Sequence, residues 1–282
     1  MASWKSAFGV ALAVLFAFAG HSAWAQSYSF GVVPQRNAVL AAQYWNPILD
    51  YLGRKGGIQL ELETSKAALE FSAAEARGEF DFVYSNHIFA PSHAAVGYRV
   101  IARPAGKPLL GEIVVLDASP LRTLRELDGQ EIGFPSKNAF AGYAVPMATL
   151  VEAGLRVRPV FAANQEGAMA QLRSGAVAAA GVNSKVMRDY AARENLRYRA
   201  LWTSGPYLDI PIAVHPRVPA ATAKAVQAAL VRMADDPEGL AILKSSAAII
   251  GQEPPYGFVL AQDGEYQNQR DVYRILWKAE GR

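Results

Sequence analysis

The segment EIGFPSKNAFAGYAVPMATLVEAG, residues 131–154, decides the fold of this chain. Its opening Glu-Ile-Gly-Phe predicts a short strand at 131–134, because a turn signal precedes it and a proline follows it. Gly154 stands where a helix takes a left-handed C-terminal cap, and Pro146 must lie within the first helical turn, where it removes no intrahelical hydrogen bond. The segment therefore predicts a strand, a loop and then a helix at 142–153.

The start of this helix is the first candidate for a binding site. The helix begins near Gly142 or Tyr143, so its free N–H groups lie around residues 140–145. Free N–H groups and the helix dipole together favour an anion or another polar group at the mouth of a sheet. An ordinary strand-to-helix connection is the alternative, since every α/β protein has several such junctions.

Short apolar strands alternate with helical patterns on both sides of this segment. Helices are predicted at 38–52, 67–77, 87–96, 119–127, 142–153, 165–173, 184–193, 220–233, 237–244 and 264–278. Strands are predicted at 28–33, 58–63, 80–84, 98–102, 113–116, 131–134, 157–161, 178–182, 198–202 and 210–214. Alternation of this kind predicts an α/β fold with mainly parallel sheets and crossover helices. Pro47 is expected to break or kink the first helix.

The alternation restarts after Leu116 and ends in a helical tail, which predicts two lobes. The strands that cross between the lobes are expected near 113–116 and 210–214. The predicted division is residues 26–113 plus 215–282 for lobe 1 and residues 114–214 for lobe 2.

Residues 1–25 are expected to be a cleavable signal peptide rather than part of the fold. Lys5 supplies the positive region, 7–19 is uninterruptedly apolar, and Ala-Trp-Ala at 23–25 fits the small-x-small cleavage pattern. The apolar stretch is shorter than the ~20 residues that span a bilayer as a helix. A short anchoring helix is the alternative; otherwise the mature chain begins near Gln26 and is expected to be soluble and periplasmic.

Composition excludes several classes of function. The chain has no cysteine, which rules out disulfides, thiolate chemistry and a lipid-modified N-terminal cysteine. Its 28 basic and 25 acidic residues are scattered, so nothing indicates a nucleic acid or a membrane surface as partner.

The motifs of common enzyme classes are missing as well. There is no G-x-S-x-G, S-x-x-K, H-E-x-x-H, P-loop or G-x-G-x-x-G. His87 and His93 are six residues apart, which does not place them on one helical face as a metal pair requires, and His215 precedes a proline. We therefore expect no catalytic residue, no metal and no cofactor, and assign the histidines packing or surface roles.

Several blocks of sequence resemble one family along nearly the whole mature chain. They are Trp-Asn-Pro-Ile-Leu-Asp-Tyr-Leu at 45–52, Gly-Glu-Phe-Asp-Phe-Val-Tyr at 78–84, Leu-Asp-Gly-Gln-Glu-Ile-Gly-Phe at 127–134, Gly-Tyr-Ala-Val-Pro at 142–146, Glu-Ala-Gly-Leu at 152–155, Gly-Ala-Val-Ala-Ala-Ala-Gly-Val at 175–182 and Leu-Trp-Thr-Ser-Gly-Pro at 201–206. Their order resembles the substrate-binding proteins of phosphate, phosphite and phosphonate ABC transporters. The resemblance implies the type 2 periplasmic-binding-protein fold, two α/β lobes joined by crossing hinge strands around a ligand cleft.

The resemblance, the free N–H groups at the start of the helix and the positions of Asn86 and Asn183 at strand ends together give a set of candidate ligand-binding residues. The set comprises Tyr44, Tyr84, Asn86, Ser136, Ala139, Phe140, Ala141, Gly142, Gln165, Asn183 and Asp209. In the family, Asp209 matches an acidic position that meets the amine of aminophosphonates; a surface turn is its alternative role. Tyr44 and Tyr84 match aromatic cleft positions but are equally consistent with the core, and whether Lys137 enters the site is left open.

The chain departs from the family pattern at the anion site. Phosphonate binders carry Ser-Thr-Ser where this chain has Ala139, Phe140 and Ala141, so only N–H groups remain there. A Ser-His pair of the family is replaced by Asn164 and Gln165. With Phe140 present, we expect a cleft more apolar than a tight phosphate cage.

The resulting hypothesis is a monomeric periplasmic protein that captures a small oxyanion or phosphonate-like ligand for an ABC importer by hinge closure. The alternative is a ligand-sensing partner of a membrane histidine kinase, which would use the same cleft. A periplasmic enzyme on this fold is the third reading, and no nucleophile–base or metal set supports it.

Overall fold

A computed structural model describes residues 26–34, 38–65, 68–162 and 164–281, so the predicted signal peptide lies outside the described residues. The described chain forms two β-sheets flanked by helices. The strands are β1 Ser27–Val32, β2 Gln59–Glu63, β3 Phe82–Tyr84, β4 Arg99–Pro104, β5 Gly111–Leu116, β6 Glu131–Phe134, β7 Arg158–Phe161, β8 Ala179–Asn183, β9 Tyr198–Thr203, β10 Ile212–Val214 and β11 Phe258–Leu260. The helices are α1 Ala38–Gly56, α2 Ala68–Ala76, α3 Val145–Glu152, α4 Gln165–Arg173, α5 Ser184–Glu194, α6 Ala220–Arg232, α7 Pro237–Ile249 and α8 Gln267–Ala279.

Each sheet is the centre of one lobe. The first has the order β11-β4-β10-β3-β1-β2 and the second the order β7-β6-β8-β5-β9. Separate apolar cores surround the two sheets, one containing Phe30, Ile48 and Phe82, the other Ile113 and Phe134. The two-lobed α/β fold predicted from the sequence is confirmed.

Both sheets are mixed rather than mainly parallel, which corrects the prediction. The pairs β1–β2, β1–β3, β6–β7 and β6–β8 are parallel, whereas β10 and β5 run antiparallel to their neighbours. The parallel strands end at the edge of the sheet that faces the other lobe. A strand that arrives from the other lobe starts at this edge, so it must run in the opposite direction.

The chain crosses between the lobes at residues 105–110 and 204–211. These two segments pair through Leu109 and Tyr207, whose backbone groups exchange hydrogen bonds of 2.7 and 2.9 Å. Strand β5 lies wholly in the second sheet and β10 wholly in the first. The crossings therefore precede these strands, and the predicted boundaries at 113/114 and 214/215 each lie a few residues too late.

The C-terminal helix α8 does not stay with the first lobe as the predicted division had it. Val272 belongs to the core of the second lobe, and Ile275 and Leu276 pack against it, because α8 lies against α3. Residues just before and within α8 also hold the second crossing segment, through bonds from Tyr266 to the carbonyl oxygen of Asp209 and from Gln269 to that of Leu208. The helix has a strongly amphipathic sequence, which suits this bridging position.

Two predicted helices are reduced to short 3₁₀ turns. The helix predicted at 87–96 is interrupted because Pro91 lacks an N–H group and Ala90 before it adopts an extended conformation with ψ 138°. The helix predicted at 119–127 begins only at Leu124, because Thr123 and Glu126 form a capping box there.

Two further details differ from the sequence reading. Helix α1 continues unbroken through Pro47, whose ring is exposed, so the missing N–H group leaves no buried acceptor unpaired. Strand β11 was not predicted, since its three residues carry too short an apolar pattern. No helix of the described chain is long and apolar enough to span a bilayer.

Candidate ligand-binding site

The second lobe contributes the loop and turn that follow β6. Residues 140–144 form a π-helical turn in which the N–H groups of Tyr143 and Ala144 both donate to the carbonyl oxygen of Ala139, each at 3.0 Å. Among the described residues, no acceptor pairs with the N–H groups of Phe140, Ala141 and Gly142, although all three residues are buried. The first N–H groups of a helix have no intrahelical partner, so these three are donors available to a bound acceptor.

The turn is packed tightly onto its surroundings, and this packing requires glycine. A side-chain carbon at Gly142 would lie 2.6 Å from Nε2 of Gln165 and 2.9 Å from Cγ of Pro135. A side-chain carbon at Gly111, at the start of β5, would lie 2.7 Å from the carbonyl oxygen of Ala141. Ordinary carbon contacts begin near 3.4 Å, so a larger residue at Gly111 collides with the backbone of the turn, and one at Gly142 displaces Gln165 and Pro135 or the turn itself.

Gln165 and Asn183 are both brought to this turn, at the carboxyl edge of the second sheet. Oε1 of Gln165 accepts from the backbone N–H of Asn183 at 3.3 Å. The side chain of Asn183 caps α5, accepting from Lys185 at 3.0 Å, and Asn164 caps α4 by accepting from Gly167 at 2.8 Å. Gln165 therefore presents its amide nitrogen at the turn, while the side-chain oxygens of both asparagines are already engaged.

The ring of Phe140 does not make the cleft more apolar, contrary to the expectation. It lies 5.1 Å from the ring of Tyr207 in the crossing segment and 5.6 Å from the ring of Tyr273 in α8. The side chain is only 6% exposed and belongs to the core of the second lobe. The turn therefore presents its backbone at the site and directs its one large side chain into the protein.

The first lobe contributes aromatic and polar side chains at the end of β3. Tyr84 is half-buried and lies 4.9 Å from the ring of Trp45, which Tyr44 meets edge-on at 5.2 Å. The Tyr44 hydroxyl donates to Oε1 of Gln252 at 3.1 Å. Asn86 is 4% exposed and begins the 3₁₀ turn that carries His87.

His87 joins the two lobes, and sequence reasoning missed it as a site residue. Its Nε2 lies 3.1 Å from the carbonyl oxygen of Asn138, in the loop of the second lobe that also holds Ser136 and Ala139. Ser136 accepts the backbone N–H of Ala139 at 3.2 Å, and the neighbouring Lys137 is exposed. Burial lowers the pKa of His87, and the nearby Glu75 carboxylate opposes part of this effect. The feature of the sequence that could have indicated His87 as a site residue was its position directly after Asn86, just beyond the end of β3.

Asp209 lies in the second crossing segment, and its carboxylate is near the first. Its Oδ2 would be 3.6 Å from a side-chain carbon at Gly106, and its Oδ1 accepts from the N–H of Ile210 at 2.7 Å. The structure therefore places Asp209 at the hinge, where both linkers pass.

The described residues include no group of three or more histidine or acidic side chains arranged to hold a metal ion. The donors and acceptors at the meeting edge are backbone N–H groups, amides, a histidine and tyrosines. Such a set is able to hold a small polar or anionic molecule, and it contains no paired nucleophile and base.

Comparison with known proteins supports the same interpretation. A family model described as "ABC transporter, phosphonate, periplasmic substrate-binding protein" matches residues 30–266. A search of curated proteins finds no match.

Solved structures share the fold at low sequence identity. PhnD1 from Prochlorococcus marinus, in complex with methylphosphonate, has a TM-score of 0.72 and 17% identity, covering 90% of this chain and 99% of its own. A protein of Xanthomonas citri bound to ATP has a TM-score of 0.75 and 15% identity, covering 91% and 99%. A phosphonate-transporter binding component from Pseudomonas aeruginosa has a TM-score of 0.67 and 13% identity, covering 91% and 88%.

The family model covers most of the chain, and no comparison points to a histidine kinase partner. The solute-binding role expected from the sequence is confirmed at this level. The chain belongs to the family of periplasmic substrate-binding proteins of phosphonate ABC transporters.

Proposed function

We propose that this protein captures a small oxyanion of the phosphonate class in the gap between its lobes. The observation that carries the proposal is the set of three N–H groups of the buried residues Phe140, Ala141 and Gly142, which lack an acceptor in the described chain. An oxyanion bound there would satisfy all three donors at once, in a position that the dipole of α3 also favours.

The family assignment fits this proposal. Binding proteins of ABC transporters act in the periplasm, bind a small molecule and pass it to a permease. We infer further that this chain is a monomer without enzymatic activity and that residues 1–25 direct its export. In support, the site contains donors that would bind a ligand without a group placed to attack it.

Ligand capture proceeds by hinge closure in this proposal. Gln165 and the turn at 140–144 bind the anion from the second lobe, while Tyr84 and Asn86 close over it from the first. Tyr44 shapes the far end beside Trp45, and Asp209 at the hinge receives a positively charged group of the ligand where there is one.

The loss of the family's hydroxyl groups sets the expected selectivity. Each hydrogen bond to a charged group contributes about 1.5–3 kcal/mol, so a site that uses N–H groups alone binds a dianion more weakly than one with hydroxyls. We therefore expect the protein to bind several oxyanions with similar affinity. The first lobe would contact the substituent on the ligand and so distinguish between them.

A thermal-shift screen of the mature protein tests the proposal. The panel comprises phosphate, phosphite, methylphosphonate, aminoethylphosphonate, sulfate, an alkylsulfonate, ATP and small carboxylates. A ligand present at 100 times its dissociation constant raises the free energy of unfolding by about 2.7 kcal/mol, which is a clear rise in melting temperature. If only carboxylates raise the melting temperature, the phosphonate-class assignment is wrong.

A further inference from the structure

A buried polar cluster lies beneath the candidate site in the first lobe. Glu75 on α2 is fully buried, and His87 and His93 are 5% and 6% exposed. The Ser85 hydroxyl donates to Oε2 of Glu75 at 3.0 Å and accepts the backbone N–H of His87 at 3.1 Å, while Nδ1 of His93 lies 3.8 Å from Oε1 of Glu75. The proposed ligand contacts make no use of this cluster.

Only His87 extends from the cluster to the other lobe. Its Nε2 lies 3.1 Å from the carbonyl oxygen of Asn138. The next residue, Ala139, has the carbonyl oxygen that organises the π-helical turn by accepting from Tyr143 and Ala144. The contact therefore fixes the loop from which the three unpaired N–H groups follow.

The chemistry of this contact determines the protonation state of the ring. A carbonyl oxygen only accepts, so Nε2 of His87 must carry a proton. In the neutral ring Nδ1 is then a bare acceptor, and it is buried without a partner among the described residues. A second proton on Nδ1 would leave a buried charged donor with no acceptor, which opposes protonation while the lobes touch.

We propose that His87 is a positioning residue that holds the anion-binding turn of the second lobe against the first lobe only while its ring is neutral. The proposal rests on the proposed function in one respect, since the turn that it positions is the one assigned to the ligand. The contact itself requires no ligand.

The direction of the pH dependence follows from the burial of the ring. Burial lowers the pKa of His87 from its ordinary value near 6.5, so the closed form takes up fewer protons than an open form with a solvated ring. The contribution of His87 to closure is therefore fully present above the ordinary pKa and is lost as the pH falls from there through the lowered pKa.

Titratable and charged groups lie around His87 on several elements. Glu75 faces it from α2, His93 from the following turn, and the buried hydroxyl of Tyr273 lies close enough to feel the charge of Glu75 from α8. On the side of the second lobe, the ring of His87 contacts the carbonyl group of Asn138, which is next to the exposed Lys137. His93 is the other histidine of this buried cluster, so its glutamine variant serves as the control.

The test measures the distance between the lobes without ligand. The chain contains no cysteine, so Lys224→Cys on α6 and Ala170→Cys on α4, both exposed positions, provide two unique spin labels. Distance distributions are recorded at pH 7.5 and 5.0 for the parent protein and for His87→Gln, His87→Ala and His93→Gln. Glutamine keeps a donor near the position of Nε2 but does not titrate.

We expect the parent protein to move towards longer distances at pH 5.0. His87→Gln should match the parent at pH 7.5 and stay unchanged at pH 5.0, whereas His87→Ala should show the longer distances at both values. His93→Gln should keep the shift of the parent. A shift that persists in His87→Gln, or that disappears in His93→Gln, would overturn the proposal.

Ligand affinity gives the second readout. Methylphosphonate itself takes up a proton in this range, so the quantity compared is the ratio of dissociation constants between parent and His87→Gln at each pH. We expect the parent to lose roughly three- to tenfold more affinity than the variant on going to pH 5.0, the effect of one hydrogen bond. If no oxyanion binds at all, the proposed function fails, while the distance measurement still decides the role of His87.

Discussion

The faces of the two lobes that meet at the candidate site offer different kinds of hydrogen-bonding groups. The second lobe presents backbone: Ala139, Ala141 and Gly142 carry no polar side chain, and their N–H groups or carbonyl oxygens do the bonding. The first lobe presents side chains, with Tyr84 at the end of β3 and Asn86 shortly after it. Backbone donors depend on the shape of the turn rather than on residue identity. In the proposed function the second lobe therefore anchors a ligand, and the first lobe distinguishes between ligands.

The largest expected effect comes from removing the Phe140 side chain, whose packing holds the backbone turn of the second lobe in place. Phe140→Ala should lower the free energy of unfolding by about 3–5 kcal/mol, because the ring packs against Tyr207 and Tyr273 in a closed core. Urea denaturation measures the loss. Phe161→Ala, at a side chain that is 40% exposed, is the control and should cost clearly less. Equal losses would mean that Phe140 is not packed as described.

The second prediction concerns the backbone anchor itself. Gly142→Ala should weaken binding of the best oxyanion by roughly tenfold to a hundredfold, since the added carbon displaces the Gln165 amide and shifts N–H donors that each contribute about 1.5–3 kcal/mol. Titration calorimetry measures the dissociation constant. Gly264→Ala, where the added carbon meets open space, is the matched control. Unchanged affinity in Gly142→Ala would show that this turn does not bind the ligand.

A third change sharpens the contrast by giving the second lobe a polar side chain. Ala139→Ser restores one hydroxyl of the Ser-Thr-Ser pattern at a half-buried position. We expect affinity for methylphosphonate to rise by up to about tenfold, the contribution of a single added hydrogen bond. Ala153→Ser, at an exposed position at the end of α3, should change nothing. A weaker complex with Ala139→Ser would show that the hydroxyl meets no ligand oxygen.

The smallest predicted effect is a change in the free energy of unfolding, and it concerns a buried carboxylate of the second lobe that has a counterpart in the first. In the first lobe Oε2 of Glu75 accepts from Ser85, and its Oε1 has no hydrogen-bond partner among the described residues. In the second lobe Oε2 of Glu112 in β5 is buried without a partner in the described chain, and no hydrogen bond to its other oxygen is present there either. Burial raises the pKa of Glu112, so the folded protein binds this proton more tightly than the unfolded chain does. Its charged form therefore lowers stability above the raised pKa, and this cost fades as the pH falls through the ordinary value near 4.3.

Glu112→Gln should accordingly raise the free energy of unfolding at pH 7 by about 1 kcal/mol, the lower end of the cost of an unpaired buried group. The gain should vanish below about pH 4, where the parent carboxyl group is already neutral. Chemical denaturation at both pH values measures it. A gain of equal size at low pH would point to packing rather than charge.

The regular elements were largely predictable from local pattern. Strand β6 and helix α4 have the predicted bounds, because turn residues and an asparagine cap mark their ends in the sequence. The predicted helix at 87–96 is interrupted at Pro91. The mixed direction of the strands was not predicted, because the alternation of strands and helices carries no information about which lobe a strand enters.

The site was predictable only in part. The position of the π-helical turn proposed to bind an anion followed from Pro146, and its link to Gln165 followed from the family resemblance. The roles of Phe140 and His87 did not follow, since each depends on a partner more than 50 residues away in sequence.

The sequence by itself determined the α/β class, the two lobes, the family and the absence of side-chain donors at 139–141, because these properties reside in local pattern and composition. Only the tertiary structure decided where the ring of Phe140 points, that α8 ties the hinge, and that His87 meets Asn138. Those contacts arise when the lobes pack together, and the energy of such long-range contacts leaves no periodic trace along the chain.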